Sequence, residues 1–407
     1  MKAPAQAVVL CGGLGTRLRP VAVGIPKPMI PTNGRPFLQY LLEQVRDCGI
    51  REIVLCTGYL GQQIRDFFGD GAQLGISIRY SHGPVEWETG TRLRQARGVL
   101  AERFLLLYSD NFIPFDLQRV QRFHDTADTV LTFLAVRKTN GNVRLREDGI
   151  VDLYDPLRLS EGLTHVELGY MITDHRVFDF FPDGNCSFSS VLEALARARQ
   201  LSGFSSGDTY HSISDAERWR LAERYLAPKR VLLIDRDGVI NEKAPQGTYV
   251  DDWSRFRFIE STVSGMRRLA REGYSFVVIS NQAGIERGMI AQAALDDIHT
   301  KMIAELRGEG VQIAGIYVCP HHWNRGCACR KPAPGMLFQA SRDHLVRLDR
   351  SFFIGDDPRD CQAAYRAGAR SIYLGPGSTL DGLAAWERPC LVAADLSKSV
   401  DFILEAS

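Results

Sequence analysis

Three cysteines and two histidines lie close together in the stretch CPHHWNRGCACRKPAPG, which begins at Cys319. Cysteines in such a cluster could form a disulfide, a redox pair, a nucleophile or a metal site. Three sulfurs and one imidazole are the closed tetrahedral set of a structural zinc ion. The loop is rich in Gly, Asn and Arg, so burial in a core does not explain these cysteines. We predict a zinc site formed by Cys319, His321, Cys327 and Cys329, with His322 as the alternative imidazole.

A second chemical signature is the run LLIDRDGVIN, in which Asp235 and Asp237 follow an apolar segment and Gly238 permits a sharp turn. A carboxylate can attack phosphorus and form an aspartyl-phosphate, while a second carboxyl protonates the leaving oxygen and then activates water. Magnesium offsets the repulsion between carboxylate and phosphate and prefers oxygen ligands. We assign Asp235 as the nucleophile and Asp237 as the general acid and base, with Asp235, Asp237 and Asp356 as magnesium ligands.

Further polar residues of the second half suit the same chemistry. Ser280 can donate a hydrogen bond to a phosphoryl oxygen, and Lys331 can neutralise its charge. Neighbouring Asn281 and Arg330 are expected to contact the substrate. Asp357 and Asp360 both follow Asp356 closely enough to assist with the metal, and the sequence does not rank them.

The N-terminal run VVLCGGLGTRLRP is rich in glycine, and glycines let backbone N–H groups approach phosphates closely. Lys27, held between two prolines, can bind a second phosphate. Asp110, which ends the run LLLYSD, is a natural magnesium ligand. The residues of the run expected to bind a triphosphate are Gly12, Gly13, Gly15, Thr16 and Arg17.

Short apolar runs that alternate with helix-length segments must position these groups. Continuous runs of Val, Ile, Leu and Phe indicate buried strands. Alternation with helices predicts parallel sheets with helices on both faces, and ligands bind beyond the carboxyl ends of such strands. The predicted strands are 7–11, 51–58, 104–110, 129–136, 230–235, 275–280, 315–320, 351–356 and 371–375; the predicted helices are 37–48, 215–225, 263–272, 292–307 and 334–344.

Chain length and composition further restrict the number of domains and the classes of partner. A chain of 407 residues exceeds what one hydrophobic core usually serves, and Pro228 interrupts the pattern between a helix and a new strand. We therefore predict two domains, residues 1–227 and 228–407. The formal net charge of +1 gives no reason to expect a nucleic-acid partner. No apolar run suits a membrane span or a signal-peptide core, so we expect a cytoplasmic protein without membrane partners.

Four motifs of the second half resemble those of the haloacid dehalogenase-type phosphatases: LIDRDGVIN, VISNQAGIERG, CRKPAPGM and FIGDDPRDCQAA. More narrowly they resemble the branch of heptose-bisphosphate and histidinol-phosphate phosphatases, which carries the same Cys/His loop. The resemblance implies a HAD-like three-layer α/β fold and the roles assigned above to Asp235, Asp237, Ser280, Lys331 and Asp356. It departs at Asp357, where the family usually has a basic residue.

The first half resembles the sugar-phosphate nucleotidyltransferases, through GGLGTRL and PKP. This resemblance implies a Rossmann-like three-layer α/β domain in which a sugar 1-phosphate attacks the α-phosphorus of a nucleoside triphosphate. The run VELGYM resembles the sugar-binding strand, with Glu167 and Gly169 facing the sugar. The chain departs from the family at WETGTRL, where Thr91 and Arg92 replace small residues. It also lacks the late metal aspartate, for which His211 or Asp215 are the nearest substitutes.

Together the resemblances imply two consecutive steps. A heptose 1,7-bisphosphate would lose its 7-phosphate, and the heptose 1-phosphate would then be activated, with GTP favoured and GDP-heptose as the product. Mg²⁺ and Zn²⁺ are the expected cofactors, and homo-oligomerisation stays open. Two alternatives remain: a phosphatase with a nucleotide-sensing first half, and a histidinol-phosphate phosphatase fused to another enzyme.

Overall fold

The computed structural model describes residues 3–13, 15, 18, 24–207 and 209–406. The chain divides into two compact units, Met1–Ala227 and Pro228–Ser407. No helix in these described ranges is both long enough and apolar enough to cross a membrane.

The first unit is built on a mixed sheet. The strands are β1 Gln6–Cys11, β2 Pro31–Thr32, β3 Arg35–Pro36, β4 Glu52–Thr57, β5 Ser77–His82, β6 Arg103–Tyr108, β7 Asn111–Phe112, β8 Leu131–Arg137, β9 Val143–Leu145, β10 Val151–Tyr154, β11 His165–Asp174, β12 Leu201–Ser206 and β13 His211–Ser212. The helices of the unit are α1 Phe37–Asp47, α2 Gly61–Phe68, α3 Thr89–Ala96, α4 Leu117–Ala127, α5 Phe188–Arg197 and α6 Ala216–Leu226.

The main sheet of this unit has the order β10-β9-β11-β6-β1-β4-β5, with β8 between β11 and β12. Strands β6, β1, β4 and β5 run parallel, whereas β11 is antiparallel to β6 and β8. Ala7, Val8 and Val9 are all fully buried, so both faces of β1 are covered. The prediction of a parallel sheet is wrong for this unit, because β11 pairs antiparallel with both β6 and β8, and β9 pairs antiparallel with β10 and β11.

The second unit has one parallel sheet with the order β16-β15-β14-β17-β18-β19. Its strands are β14 Val231–Ile234, β15 Ser275–Asn281, β16 Ile313–Cys319, β17 Phe352–Gly355, β18 Arg370–Leu374 and β19 Leu391–Ala393. Its helices are α7 Glu260–Arg271, α8 Gln292–Gly308, α9 Gly335–His344, α10 Pro358–Ala367 and α11 Val400–Glu405.

Alternate residues of the central strands enter two separate cores, as the pleat of a strand requires. Leu232 and Ile234 of β14 pack in a cluster with α7 and α8, whereas Leu233 packs with α9 and α10. The predicted three-layer arrangement, with helices on both faces of the sheet, is confirmed in this unit. The order of strands places the ends of β14, β15 and β17 side by side, where the predicted catalytic residues lie.

Candidate active sites

The site of the second unit is centred on a buried lysine between two carboxylates. Lys331 is 3% exposed, and its Nζ lies 2.8 Å from both Asp235 Oδ1 and Asp360 Oδ1. Burial works against its charge, but Asp235 and Asp360 together raise the pKa of the ammonium to about 12. Lys331 is therefore a fixed cation beside the predicted nucleophile.

Asn281 holds the lysine in place. Its amide exchanges two 3.1 Å hydrogen bonds with the Lys331 backbone, while Lys331 Nζ also donates to the carbonyl of Ile279. Asn281 thus links the end of β15 to the Lys331 loop. It also lines the pocket between Asp235 and Lys331, and its contact with the substrate stays a prediction. Ser280 is buried beside it and accepts a hydrogen bond from Gln282 at 2.8 Å.

Three carboxylates of this unit lie close enough to share a cation: Asp235, Asp356 and Asp360. Burial raises the pKa of Asp235 and of Asp356, so a nearby positive charge is needed to stabilise their ionised forms. Lys243 Nζ already lies 2.5 Å from Asp356 Oδ2. A hard divalent cation such as Mg²⁺ fits this all-oxygen set. Sequence reasoning did not single out Lys243.

The structure distinguishes Asp360 from Asp357. Asp360 is 1% exposed and joins the cluster, whereas Asp357 caps α10 and pairs with Arg359 at 2.7 Å. The Asp360 side chain accepts from the Asp357 N–H, which completes a capping box. The D-x-x-D spacing before a helix was the signal that could have predicted this orientation.

Asp237 does not belong to the carboxylate cluster. Its two oxygens accept hydrogen bonds from Arg236, from Asn241 at 2.9 Å and from Gln282 at 2.6 Å. Burial would raise its pKa, but Arg236 and these donors lower it. Asp237 is thus held as a carboxylate, and its assignment as a side-chain magnesium ligand stays a prediction.

Arg236, which sequence reasoning missed, is fully buried between Asp237 and His299. Its Nη1 lies 3.0 Å from His299 Nε2, so the imidazole must accept the hydrogen bond in neutral form. Burial and the adjacent Arg236 lower the pKa of His299 to about 4. The only hint in the sequence was the position of Arg236 between two aspartates.

Gly238 allows a tight turn directly after Asp237. Its φ is +93°, in the left-handed region, and an added Cβ would lie 2.0 Å from Asp356 Oδ2. The turn after Asp237 therefore packs directly on the end of β17.

The four predicted zinc ligands are brought together at the end of β16. The three cysteine sulfurs lie 3.4 to 3.7 Å apart, and His321 Nδ1 lies 3.2 Å from Cys329 Sγ. A tetrahedron with Zn–S bonds of about 2.3 Å has edges of about 3.8 Å, so the spacing and donor types fit zinc. His322 instead packs against the ring of Trp323 in a tilted arrangement and accepts a hydrogen bond from the Asn324 N–H.

The Cys/His loop leads directly to Arg330 and Lys331. Cys319 accepts a hydrogen bond at its carbonyl from Gln282, and Ala328 accepts one from Gly335 at the start of α9. Arg330, between Cys329 and Lys331, has a buried Nη1 without a hydrogen-bond partner among the described residues. A fixed loop therefore determines where Arg330 and Lys331 lie.

The first unit has a pocket of about 530 Å³ at the carboxyl ends of β1 and β6. It is lined by the predicted residues Gly12, Gly13, Gly15, Lys27 and Asp110, and by further residues that include Val85, Trp87, Glu88 and Arg92. Thr16 and Arg17 lie outside the described residues. The volume suits a nucleotide-sized ligand.

Lys27 and Asp110 form one end of this pocket. Lys27 Nζ lies 2.5 Å from Asp110 Oδ2. Gly15 has a φ of +59°, and a Cβ there would be 2.9 Å from Lys27 Cβ. The glycine-rich turn, a cation and a carboxylate thus meet, as phosphates and a divalent ion require.

Glu167 and Gly169 lie together on β11. The Gly169 N–H donates to Glu167 Oε1, and burial raises the pKa of Glu167 to about 7. Gly169 has a φ of +74°, and a Cβ would meet the ring of Tyr108 at 2.5 Å. That the pair contacts a sugar stays a prediction.

The residues that depart from the family pattern have structural partners. Thr91 exchanges hydrogen bonds with the Cys186 backbone, and Arg92 is buried beside the pocket. His211 stacks on Tyr225 at 3.8 Å, and Asp215 caps α6. Neither of the last two belongs to a potential metal cluster with Asp110 in the described ranges.

Comparisons with known proteins identify a related family for each half of the chain. The profile of the nucleotidyl transferase family matches residues 6–144, and that of the HAD-hydrolase-like family matches residues 328–399. The chain is therefore an enzyme that combines these two domains, as the sequence predicted. A solved structure of HddC from Yersinia pseudotuberculosis is 23% identical, covers 54% of this chain and 98% of its own, and has a TM-score of 0.46.

Sequence identity to phosphatases is higher than to this nucleotidyltransferase-like structure. The D,D-heptose 1,7-bisphosphate phosphatase of B. bronchiseptica, solved with magnesium and phosphate, is 32% identical over 44% of this chain and 99% of its own, with a TM-score of 0.40. The D-glycero-β-D-manno-heptose-1,7-bisphosphate 7-phosphatase of Yersinia pestis is 35% identical over 42% of this chain and 94% of its own length. By this near-complete match, together with the HAD-hydrolase-like profile, the chain belongs to the family of these heptose-bisphosphate 7-phosphatases.

Proposed function

We propose that the protein removes the 7-phosphate of a heptose 1,7-bisphosphate and couples the resulting heptose 1-phosphate to a nucleoside monophosphate, with GTP as the favoured donor. The observation that carries the proposal is the presence, in one chain, of two sites with complementary phosphate chemistry. Lys331 between Asp235 and Asp360 suits phosphomonoester hydrolysis, and the Gly15–Lys27–Asp110 group suits attack on a triphosphate. The product class of the first reaction is the substrate class of the second.

In the first half-reaction of the phosphatase, an Asp235 oxygen bonds to phosphorus as the bond to the sugar C7 oxygen breaks. That oxygen takes a proton from Asp237, and Lys331 and Ser280 stabilise the charge on the phosphoryl oxygens. Water then attacks the aspartyl-phosphate, gives its proton to Asp237 and releases inorganic phosphate. Asp235, Asp356 and Asp360 would hold Mg²⁺, which supplies Lewis-acid stabilisation of the phosphoryl group.

Asp237 must change partners in this cycle. Its carboxylate accepts from Arg236, Asn241 and Gln282, which favours the ionised state needed to deprotonate water. The acid role needs a protonated Asp237, so the incoming substrate must weaken at least one of these contacts. The phosphate dianion, which brings negative charge to the site, favours that proton uptake.

In the transferase, an oxygen of the sugar 1-phosphate bonds to the α-phosphorus as the bond to the bridging oxygen of pyrophosphate breaks. Gly12, Gly13 and Gly15 would approach the triphosphate with their backbone, and Lys27 would offset the developing charge. Asp110 would hold Mg²⁺, which offsets the charge of the triphosphate. Glu167 and Gly169 would contact the sugar.

The decisive experiment incubates purified protein with heptose 1,7-bisphosphate and each of GTP, ATP, UTP and CTP. Phosphate, pyrophosphate and nucleotide sugar are followed in parallel. We expect phosphate in every reaction, and pyrophosphate with a nucleotide sugar chiefly with GTP. Phosphate release without pyrophosphate from any of the four would contradict the transferase half and favour a nucleotide-sensing role. A parallel reaction contains histidinol phosphate in place of the heptose, and phosphate release from histidinol phosphate alone would overturn the proposed substrate.

Lys27→Met is expected to lower nucleotidyl transfer by roughly 10²–10³-fold, since one cation that stabilises transition-state charge is lost. Phosphate release in the same protein should stay at the wild-type rate. Lys138→Met is the matched control, because Lys138 belongs to the same unit but does not line the pocket. Pyrophosphate release under saturating substrates measures the effect, and a loss of less than threefold would contradict the assigned role of Lys27.

Cys327→Ser is expected to remove one zinc ion per chain and to lower phosphatase turnover about 100-fold. A serine hydroxyl stays protonated and replaces a thiolate ligand poorly, and displacement of Lys331 by about 1 Å suffices for such a loss. Cys390→Ser, at an exposed cysteine outside the cluster, should change neither quantity. Elemental analysis measures the zinc content, and phosphate release measures the turnover. Full activity in zinc-free protein would show that the metal does not organise the site.

A further inference from the structure

The site of the second unit contains a second lysine, Lys243, beside one of the proposed metal ligands. Its Nζ lies 2.5 Å from Asp356 Oδ2, and 49% of the Lys243 side chain is exposed, against 14% of the Asp356 side chain. Gly238 makes room for this contact, because an added Cβ there would lie 2.7 Å from Lys243 Cε and 2.0 Å from Asp356 Oδ2. Lys243 therefore reaches Asp356 from the solvent and covers one of its two oxygens.

The other oxygen of this carboxylate is suited to a metal ion. Asp356 Oδ1 is buried and has no hydrogen-bond partner among the described residues. A buried acceptor without a partner is costly, so this atom favours a cation or a donor beside it. Asp356 also lies close enough to Asp235 and Asp360 to share an ion with them. One carboxylate can thus serve two cations, Lys243 at Oδ2 and a divalent ion at Oδ1.

The charges of the site do not balance when both cations are counted. The three carboxylates Asp235, Asp356 and Asp360 face the ammonium groups of Lys243 and Lys331, which leaves one net negative charge for a divalent ion. The two other aspartates of the site are each paired with an arginine. A bound divalent ion would therefore give this group of residues a net positive charge, which a phosphate dianion would offset.

The two cations would lie close enough to repel each other. An ion held about 2.1 Å from Asp356 Oδ1 would lie within about 7 Å of Lys243 Nζ. Even with the dielectric constant of bulk water, a double and a single charge at that distance repel by enough to weaken the binding of the ion by on the order of tenfold. Salt screens this repulsion only in part, since the Debye length is about 8 Å at physiological ionic strength. Lys243 therefore opposes the binding of a divalent ion at Asp356.

The same lysine is well placed for the phosphate. Lys243 lines a cavity of about 100 Å³ together with Asp235, Ser280 and Lys331. A cavity of that volume holds roughly three water molecules. A phosphoryl group that is bound to Asp235 in so small a space would lie close to every side chain that lines it. The charge that opposes the metal ion would attract this group.

The two lysines differ in the donors that they can offer to the phosphate. An ammonium group has three N–H donors. Lys331 Nζ contacts two carboxylates and the carbonyl of Ile279, which accounts for all three. In the described part of the chain, Lys243 Nζ has one such partner, Asp356. Lys243 can therefore donate to a phosphate in this cavity without giving up a contact within the protein.

We infer that Lys243 is a phosphate-binding residue that at the same time weakens the binding of the divalent ion alone, an inference that rests on the proposed phosphatase reaction. Its charge repels the ion and attracts the phosphate, so the site favours the ion together with phosphate over the ion alone. Removal of that charge should move the two affinities in opposite directions. A role of Lys243 in folding alone would lower both affinities.

Binding of Mn²⁺, which shares the charge and the oxygen ligands of Mg²⁺, tests the effect on the metal. Free Mn²⁺ is counted by electron paramagnetic resonance in full-length protein that carries Asp110→Asn, which removes the proposed metal ligand of the first unit. Lys243→Met should bind Mn²⁺ about fivefold more tightly at about 50 mM salt. The gain should fall below about twofold at about 1 M salt, where charges are screened. Lys243→Arg keeps the charge and should bind Mn²⁺ as the parent protein does.

Inhibition by inorganic phosphate tests the contact with the phosphate. The substrate is heptose 1,7-bisphosphate with saturating Mg²⁺, and the disappearance of the bisphosphate is followed, so that competitive inhibition reports on this site alone. Lys243→Met should raise the inhibition constant about tenfold, because a charged hydrogen-bond donor is lost. Lys243→Arg should raise it less than about threefold.

Lys301→Met is the matched control for both measurements. The Lys301 side chain is 48% exposed and pairs with Asp297 at 2.7 Å, but Lys301 does not line the cavity. The substitution removes the same charge from a similar pair in the same unit. It should change neither the Mn²⁺ affinity nor the inhibition constant.

Failure of the inference and failure of the proposed function are distinguishable. Mn²⁺ binding that is unchanged or weaker in Lys243→Met, or a gain that persists at high salt, would overturn the inference and leave the phosphatase standing. An inhibition constant that is unchanged in Lys243→Met would do the same. Wild-type protein that hydrolyses no heptose bisphosphate would overturn the proposed function and this inference with it.

Discussion

Asp235→Asn is expected to reduce phosphate release by on the order of 10⁴-fold or more, because the amide cannot attack phosphorus while other groups of the site still bind the substrate. The amide keeps an acceptor for Lys331, which lies 2.8 Å from Asp235 Oδ1, so the fold should be retained. When the reaction is quenched with acid during turnover, the wild-type chain should be phosphorylated and the variant chain should not. Nucleotidyl transfer from added heptose 1-phosphate should continue at the wild-type rate.

The control for this prediction is Asp252→Asn. Asp252 caps a short helical turn in the same unit, and Asn caps as well as Asp. The substitution makes the same chemical change outside the site and should leave turnover intact. Phosphatase turnover within tenfold of wild type in purified Asp235→Asn protein would rule out Asp235 as the nucleophile.

Lys331→Met is expected to affect both activity and folding. Its removal leaves the buried carboxylates of Asp235 and Asp360 without their cation, and breaking a buried pair in this way costs about 3–5 kcal/mol of stability. Turnover should fall roughly 10²–10³-fold, since the charge on the phosphoryl oxygens loses a donor. Denaturant unfolding of the second unit and phosphate release are the two measurements.

A second substitution separates charge from packing. Adding Asp360→Asn to Lys331→Met removes one of the repelling carboxylates and should recover part of the lost stability, without recovering activity. Lys301→Met, which breaks an exposed helical pair with Asp297, should change stability by no more than about 1 kcal/mol. A double variant that is no more stable than Lys331→Met alone would contradict the electrostatic account.

The sequence predicted the positions of the catalytic groups better than their partners. Asp235, Ser280 and Asp356 each end or follow a buried apolar run, and parallel strands bring such ends to one edge of a sheet, whereas Lys331 lies in the loop between β16 and α9. Local spacing, by contrast, predicted that Cys319, His321, Cys327 and Cys329 would lie close together, as they do. Sequence reasoning did not identify Arg236 or Arg92 as buried, because arginine is usually exposed and only three-dimensional packing reveals its acceptors.

The mixed sheet of the first unit was missed for a related reason. Strands β9 and β10 are short, and β11 contains Glu167 and Gly169 in a strand that is otherwise buried. Pairing of β11 with β6 and β8 is set by contacts far apart in the chain. Local periodicity carries no signal for such pairing or for its direction.

Fully buried Arg236 makes the stability of the protein in a cell depend on Asp237, the proposed general acid. The guanidinium has two side-chain partners in the described chain, Asp237 and His299. A mutation that removes the Asp237 charge would strand a permanent cation in the core and raise the fraction of unfolded copies exposed to proteases. Loss of the Asp237 carboxylate would then lower both the turnover of each molecule and the number of folded molecules. Variants that lose the phosphatase activity in this way would be degraded and would not persist as folded binding proteins.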